Sequence, residues 1–142
     1  MHGTQKANHM ELNYKTAEKV LHAAKEKALL MNIPVSIAVV DSGGHLIALA
    51  RLDSVYGVID FALKKARTAA MFGVNSDIIG GIISETGVHG YGMLNSNGGL
   101  LTIAGGVVLQ DKSGKIIGAI GSSGGTPEQD KEIAEAGAQA IA

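Results

Sequence analysis

The sequence of 142 residues contains no cysteine and no tryptophan, and only 4% of its residues are aromatic. Without cysteine the chain cannot form disulfides or zinc–thiolate sites, and it has no cysteine nucleophile. With so few aromatic residues, the core has to be built from small aliphatic side chains that pack closely. Apolar surfaces of this kind often pair with copies of themselves, so the composition also favours a homo-oligomer.

Long hydrophobic runs and an excess of one charge are missing as well. No apolar run approaches the ~20 residues of a membrane helix, and the N-terminus lacks the apolar segment of a secretory signal. We therefore expect a cytoplasmic protein that does not contact a membrane. The 12 basic residues nearly balance the 13 acidic ones. Because lysine and arginine are scattered, with no basic stripe that carries aromatic residues, we expect no nucleic-acid partner.

The chain length, with 46% hydrophobic and 18% charged residues, indicates one globular domain. A chain of this size buries roughly 68–70% of its unfolded surface, which is enough for a stable core. Residues 1–9 differ from the rest, and the pair His9-Met10 is what a common cloning junction leaves before a native start. We therefore expect residues 1–9 to be an unstructured remnant and residues 10–142 to form the single domain.

Glycine is abundant, with 20 residues, and its densest block joins a predicted strand to a predicted helix near the C-terminus. The apolar run Lys115 to Ile120 predicts the strand, and the residues from Gly121 to Gly125 allow a tight loop. Three signals then place the start of a helix that runs to about residue 141. Thr126 is a good N-cap, Pro127 suits the first helical position, and Gln129 completes a T-x-x-Q capping box.

This loop allows two interpretations. A helix N-terminus behind small residues offers unpaired backbone N–H groups, which can hold a carboxylate or a phosphate. The donors would come from Ser123, Gly124, Gly125 and Thr126. Alternatively, the two glycines only turn the chain sharply between strand and helix.

Hydrophobic periodicity and turn signals divide the rest of the chain into three helices and four strands. The helices are predicted over 14–31, 58–72 and 77–84, and the strands over 35–41, 45–51, 100–104 and 107–110. The first two strands are nearly continuous in apolar residues, so both faces of that hairpin are predicted to be covered. Residues 85–99 are predicted to form a long irregular loop, which in compact domains is often functional. The order α-ββ-αα-βββ-α implies an α+β fold, with helices packed on a five-stranded antiparallel sheet.

Three histidines remain as functional candidates once His2 and His9, in the expected remnant, are set aside. His22 lies on the polar face of the first predicted helix, and His89 lies in the long loop. His45 follows the predicted hairpin turn, which Asp41 precedes. A carboxylate beside an imidazole fixes the tautomer of the ring and raises its basicity. The pair can therefore bind a metal or cofactor or transfer a proton, or it can simply stabilise the turn.

Four segments carry a resemblance to a known family. IPVSIAVVDSGGHLIALARLD, DFALKKARTAAMFG, SNGGL with AGGVVL, and GAIGSSGGTPEQDKEIAEAGA together resemble the GlcG/HbpS family of haem-binding proteins, which includes the C-terminal domain of PduO-type proteins. The resemblance covers Glu11 to Ala142. It implies a profilin-like domain that assembles as a homo-oligomer, with dimers built into an octamer or a similar ring. It also implies haem as the cofactor of some members, and the family is often labelled haem-degrading.

Haem binding, with a role in sequestering haem or iron, is the first function that this resemblance implies. A histidine would be the axial ligand, and nearby cations would contact the propionates. The candidate iron ligands are His22, His45 and His89. The candidate propionate contacts are Arg51 and the local cationic cluster of Lys64, Lys65 and Arg67, which can also be an ordinary solvated face.

Two other functions remain open. The first is binding of a small anionic metabolite in organic-acid or diol catabolism, at the glycine loop. The polar groups for that site are Asp41, His45, Arg51 and Asn97. The second is a non-catalytic assembly module that serves a partner enzyme. The chain has no recognisable catalytic set; if it is an enzyme, haem degradation and acid–base chemistry on a small acid are the reactions to consider.

Overall fold

The computed structural model of the protein describes residues 11–142, so the remnant predicted at residues 1–9 lies outside the described part. The fold is α+β. The elements are α1 (Tyr14–Met31), β1 (Ser36–Asp41), β2 (Leu46–Arg51), α2 (Gly57–Phe72), α3 (Ser76–Thr86), α4 (Val88–Tyr91), a 3-10 helix (Gly92–Gly98), β3 (Gly106–Gln110), β4 (Ile116–Ser123) and α5 (Pro127–Gln139). No helix within residues 11–142 is long and apolar enough to cross a membrane.

The four strands form one antiparallel sheet in the order β2-β1-β4-β3, between two layers of helices. Side chains on alternate strand positions point to opposite faces. On one face, Ile37 and Ile120 pack with Val20 of α1 and Ile133 of α5. On the other face, a smaller cluster joins the sheet to α2. Its buried members are Val40, Ala66, Ala69, Ala70 and Ala119.

The prediction of five strands is wrong, because residues 100–104 do not join the sheet. Their backbone groups are satisfied by the helices instead. The Leu101 N–H donates to Thr68 Oγ1 on α2 (3.0 Å), and the Ile103 carbonyl accepts from Ser76 Oγ on α3 (2.7 Å). The segment is apolar because it lies against these helices, and a short apolar run has the same pattern whether it packs under helices or within a sheet.

The prediction of a long irregular loop at residues 85–99 is also wrong. Helix α3 continues to Thr86, and the chain then forms α4 and the 3-10 helix. Glycine lowers helix propensity, but here one glycine lets α4 lie directly on α3. A Cβ atom at Gly90 would lie 2.4 Å from the carbonyl oxygen of Ile83. Close packing therefore overrides the weak local propensity.

The prediction that both faces of the hairpin are covered is confirmed for β1 and wrong for β2. Strand β1 is central and buried from Ser36 to Val40. Strand β2 lies at the edge of the sheet, and Leu46 and Leu49 remain 50% and 39% exposed. The two strands have similar apolar sequences, but β1 is buried because it is central and β2 is partly exposed because it lies at the edge.

Candidate functional site

A groove of about 620 Å³ lies between α1 and β2 and contains His22. The helical period brings residues three, four and seven apart to one side of α1, so the polar face of the helix forms one wall. Leu49 and Ala50 of β2 contribute apolar side chains. The groove is lined by Tyr14, Lys15, Glu18, Lys19, Leu21, His22, Lys25, Leu49 and Ala50. An imidazole, three ammonium groups and apolar side chains therefore meet in one concave surface.

The imidazole of His22 is accessible from solvent. Its side chain is 70% exposed, and its Nε2 lies 3.4 Å from Glu26 Oε1. Exposed ion pairs of this kind contribute little, because water solvates both groups almost as well. An incoming ligand for Nε2 would therefore displace Glu26 at small cost.

Asp41 and His45 are brought together as the sequence indicated. Asp41 Oδ1 accepts hydrogen bonds from the backbone N–H groups of Gly43 and His45, each at 2.9 Å, and lies 3.2 Å from His45 Nδ1. The carboxylate thus organises the turn. The adjoining cavity of about 290 Å³ is also lined by Glu11 and Lys115. Two carboxylates beside one lysine and one histidine leave no excess of positive charge for an anion.

The remaining predicted site residues lie elsewhere. Arg51 donates from Nε and Nη2 to the carbonyl of Ser54 (3.0 and 2.8 Å) and stacks over the ring of Tyr56 at 5.1 Å. It lines a separate cavity of about 550 Å³ near the C-terminal end of α1. Asn97 lies at a kink in the segment Gly92–Gly98, with a left-handed backbone φ of 53°, and His89 lies in α4. Neither residue lines the groove or the two cavities described here.

The start of α5 is confirmed in detail, including the capping box of Thr126 and Gln129. The structure also shows what the loop amides bind. The N–H of Gly125 donates to Asp130 Oδ1, and that of Thr126 donates to Gln129 Oε1, both at 2.9 Å. Ser123 belongs to β4 and is buried. Two of the four backbone donors considered for an anion therefore already have partners within the chain.

A buried ion pair between α2 and α5 was not predicted. Lys65 is only 1% exposed, and its Nζ donates to Asp130 Oδ2 and to the carbonyl oxygen of Ser122, both at 3.1 Å. Burial lowers the pKa of Lys65, while the Asp130 carboxylate acts in the opposite direction. A signal was present in the sequence, because Lys65 lies three residues after Ala62 and four before Ala69 on the buried stripe of α2.

The predicted cationic cluster is therefore not one surface. Lys65 points inward and is not accessible to a propionate. Lys64 pairs with Asp60 at 3.6 Å. Arg67 packs beside the hairpin turn, with its Cγ 3.7 Å from the Cβ position of Gly44. Neighbours in sequence on a helix point in different directions, which separates these three cations.

Within residues 11–142 there is no group of three or more histidine, aspartate or glutamate side chains that could hold a metal ion. Haem brings four nitrogen ligands of its own, so one accessible imidazole is a sufficient protein ligand. The groove around His22 offers one accessible imidazole, together with three lysines and apolar side chains.

Comparisons with known proteins identify the family of the chain. A model of the family described as haem degrading protein HbpS-like matches residues 12–139. An uncharacterised 15.0 kDa protein from the dhaT-dhaS intergenic region of Citrobacter freundii is 38% identical over 120 residues, which are 84% of each chain. Protein GlcG of Escherichia coli strain K12 is 36% identical over 120 residues, covering 79% of this chain and 81% of GlcG.

A solved structure shows the same fold in complex with haem. The crystal structure of a PduOC–haem complex superposes with a TM-score of 0.84 at 28% identity, covering 93% of this chain and 96% of that one. The family match spans nearly all of residues 11–142. On these grounds, the chain belongs to the HbpS-like family of haem-degrading proteins.

Proposed function

We propose that the protein binds haem in the groove between α1 and β2, with His22 as the axial ligand. The observation that carries this proposal is the position of His22 in a concave surface of about 620 Å³ that combines three lysines with apolar side chains. His45 adjoins a smaller cavity and is engaged with Asp41. The haem complex of the structural relative PduOC supports the choice of ligand.

The residues of the groove fit the two ends of a haem molecule. Leu21 and Leu49 offer apolar surface for the porphyrin plane, which favours burial away from water. The three lysines of the groove, Lys15, Lys19 and Lys25, are suited to the propionate carboxylates. Bound haem would supply an iron centre capable of redox change, and His22 would hold it and set its orientation.

We propose that this site holds and transfers haem, in keeping with a role in sequestration. The imidazole of His22 and its neighbour Glu26 are largely exposed. Acid–base chemistry on a bound ligand usually relies on groups whose pKa is tuned by burial. The buried pair of Lys65 and Asp130 has such an environment, but neither residue lines the groove.

An absorbance titration with haemin tests the assignment of His22. We expect a saturable Soret shift for the unmodified protein, and loss of that shift or at least a tenfold weaker affinity for His22→Ala, because the iron loses its protein ligand. His45→Ala and His89→Ala are the matched controls and should bind as the unmodified protein does. If His22→Ala retains the full shift while either control loses it, the site is elsewhere.

A further inference from the structure

The cavity of about 550 Å³ near the C-terminal end of α1 shares no residue with the groove around His22. Its volume lies within the range of about 300–1,000 Å³ that is usual for small-molecule sites. Three polar residues line it, Arg51, Asp53 and Asn32. The rest of the lining is apolar and consists of Ala28, Leu29, Ile33, Pro34 and Leu52. A few polar groups in a mostly apolar surface are typical of a site for a small organic molecule.

The guanidinium group of Arg51 is held in place by the chain itself. Its Nε and Nη2 atoms donate to the carbonyl oxygen of Ser54, and it lies over the ring of Tyr56. Ser54 is fixed in turn, because it is 2% exposed and its Oγ lies 2.7 Å from Ser36 Oγ of β1. No acceptor among residues 11–142 occupies the other edge of the guanidinium group, formed by Nη1 and Nη2. That edge can bind a carboxylate through two parallel hydrogen bonds.

Asp53 brings the opposite charge to the same cavity. It follows β2 directly and has a left-handed backbone, with a φ of 58°. Neither Asp53 nor Arg51 forms an ion pair with a charged side chain of residues 11–142, so the two do not neutralise each other. The cavity therefore offers one positive and one negative group to a ligand.

The end of α1 favours a cation in this cavity as well. The last turn of the helix reaches the cavity through Ala28 and Leu29, and its C-cap Asn32 also contributes to the lining. The C-terminal end of a helix carries a partial negative charge, and the last turn of α1 contains no basic residue to offset it. An ammonium group would therefore be stabilised both by the helix end and by the Asp53 carboxylate.

We propose that this cavity binds a small zwitterion with an apolar side chain, of the α-amino acid class. The ligand carboxylate binds the Nη1 and Nη2 edge of Arg51, and the ligand ammonium group lies beside Asp53. The ligand side chain packs on the apolar lining, which removes it from water. A simple carboxylic acid leaves Asp53 without a cation, and a simple amine leaves Arg51 without an anion. A molecule with both charges therefore matches the cavity better than a molecule with either one.

Calorimetric titration of the haem-free protein tests this proposal independently of haem binding. The probes are L-leucine, L-methionine and L-phenylalanine at millimolar concentrations. We expect saturable binding of at least one of them. Two analogues of that amino acid, one without the amino group and one without the carboxylate, should each bind at least tenfold more weakly. The proposal is overturned if none of the three amino acids binds, or if either analogue binds as tightly as the amino acid.

Asp53→Asn tests the role of the carboxylate in the same titration. Asparagine tolerates the left-handed conformation as aspartate does, so the variant should fold. We expect at least tenfold weaker binding of the amino acid and no loss for the analogue without the amino group. Asp60→Asn is the matched control, since it changes an exposed carboxylate of α2 outside the cavity, and it should leave both affinities unchanged. Equal affinities of the Asp53 and Asp60 variants for the amino acid overturn the proposal.

Arg51→Gln tests the carboxylate end of the ligand. The variant should bind neither the amino acid nor the analogue without the amino group, because both use the guanidinium edge. Circular dichroism verifies its fold, since Arg51 also holds the loop at Ser54. If the folded variant binds the amino acid with unchanged affinity, the assignment of Arg51 is wrong. If the variant does not fold, the result for Asp53→Asn decides the question.

Discussion

At the scale of single residues, Lys65 connects the two helical layers of the molecule. It belongs to α2, on one face of the sheet, and its ammonium group reaches Asp130 of α5, which packs on the other face. Asp130 also accepts from the N–H of Gly125, so one carboxylate holds both the lysine and the loop before α5. A buried pair of this kind makes removal of either partner costly, since the other charge stays buried alone.

Lys65→Met should lower the free energy of unfolding by about 3–5 kcal/mol, because it leaves the Asp130 carboxylate buried without a cation. Lys64→Met is the matched control, since Lys64 is partly exposed and pairs with the exposed Asp60; it should change stability by less than about 0.5 kcal/mol. Urea denaturation measures both. Adding Asp130→Asn to Lys65→Met should recover part of the lost stability, because the buried charge is then removed as well. If Lys65→Met and Lys64→Met lower the free energy of unfolding equally, the buried ion pair contributes no more than the exposed one.

The stability contributed by Lys65 should depend on pH in the alkaline range. Burial lowers its pKa, so between that lowered value and the usual value near ~10.4 the unfolded chain holds a proton that the folded chain lacks. In that range the stability of the unmodified protein, relative to Lys65→Met/Asp130→Asn, should rise with pH. Below the lowered pKa of Lys65, the difference in stability between the two proteins should not depend on pH.

Urea unfolding of both proteins between about pH 7 and about pH 10.4 measures this difference. The hydrogen bond to Asp77 raises the pKa of Lys131, so Lys131 makes stability fall as the pH rises. Because Lys131 is present in both proteins, its contribution cancels from the difference in their stabilities. A relative stability that decreases as the pH rises contradicts the assignment.

At the scale of elements, the structure separates what local sequence determines from what it does not. The start of α5 was predictable because Thr126, Pro127 and Gln129 act within one helical turn. The structure of residues 100–104 was not predictable, because the partners of their backbone groups lie about thirty residues away in sequence, at Thr68 and Ser76. The number of strands therefore depended on tertiary contacts that an apolar run does not reveal.

The junction between β4 and α5 offers a test at this scale. Gly124 has a φ of 139°, and a Cβ atom there would lie 2.5 Å from the carbonyl oxygen of Pro34. Gly124→Ala should therefore reduce the free energy of unfolding by about 3 kcal/mol, from backbone strain and overpacking.

Gly57→Ala is the control for this variant, because a Cβ atom at the start of α2 meets nothing within 4 Å. Its stability should be unchanged or slightly raised, since alanine is the better helix former. Thermal unfolding compares the two variants. If Gly124→Ala is as stable as Gly57→Ala, the junction can relax and is not the tight connection described here.

At the scale of the whole molecule, the groove around His22 forms where the edge strand β2 approaches α1, because Leu49 and Ala50 of β2 form part of its lining. Periodicity alone placed His22 on the polar face of α1. The groove itself depends on the approach of β2 to that face, which periodicity cannot show. For the same reason the sequence left three histidines equivalent, and only their surroundings in the fold distinguish them.

The most direct test of haem binding at His22 is a haemin titration of a variant that keeps His22 and replaces the other four of the five histidines with alanine. His45 and His89 are exposed, so replacing them should leave the fold intact, which circular dichroism verifies. We expect this variant to show a saturable Soret shift with the affinity of the unmodified protein. Binding by the unmodified protein but no saturable shift in the folded variant with His22 alone would contradict it.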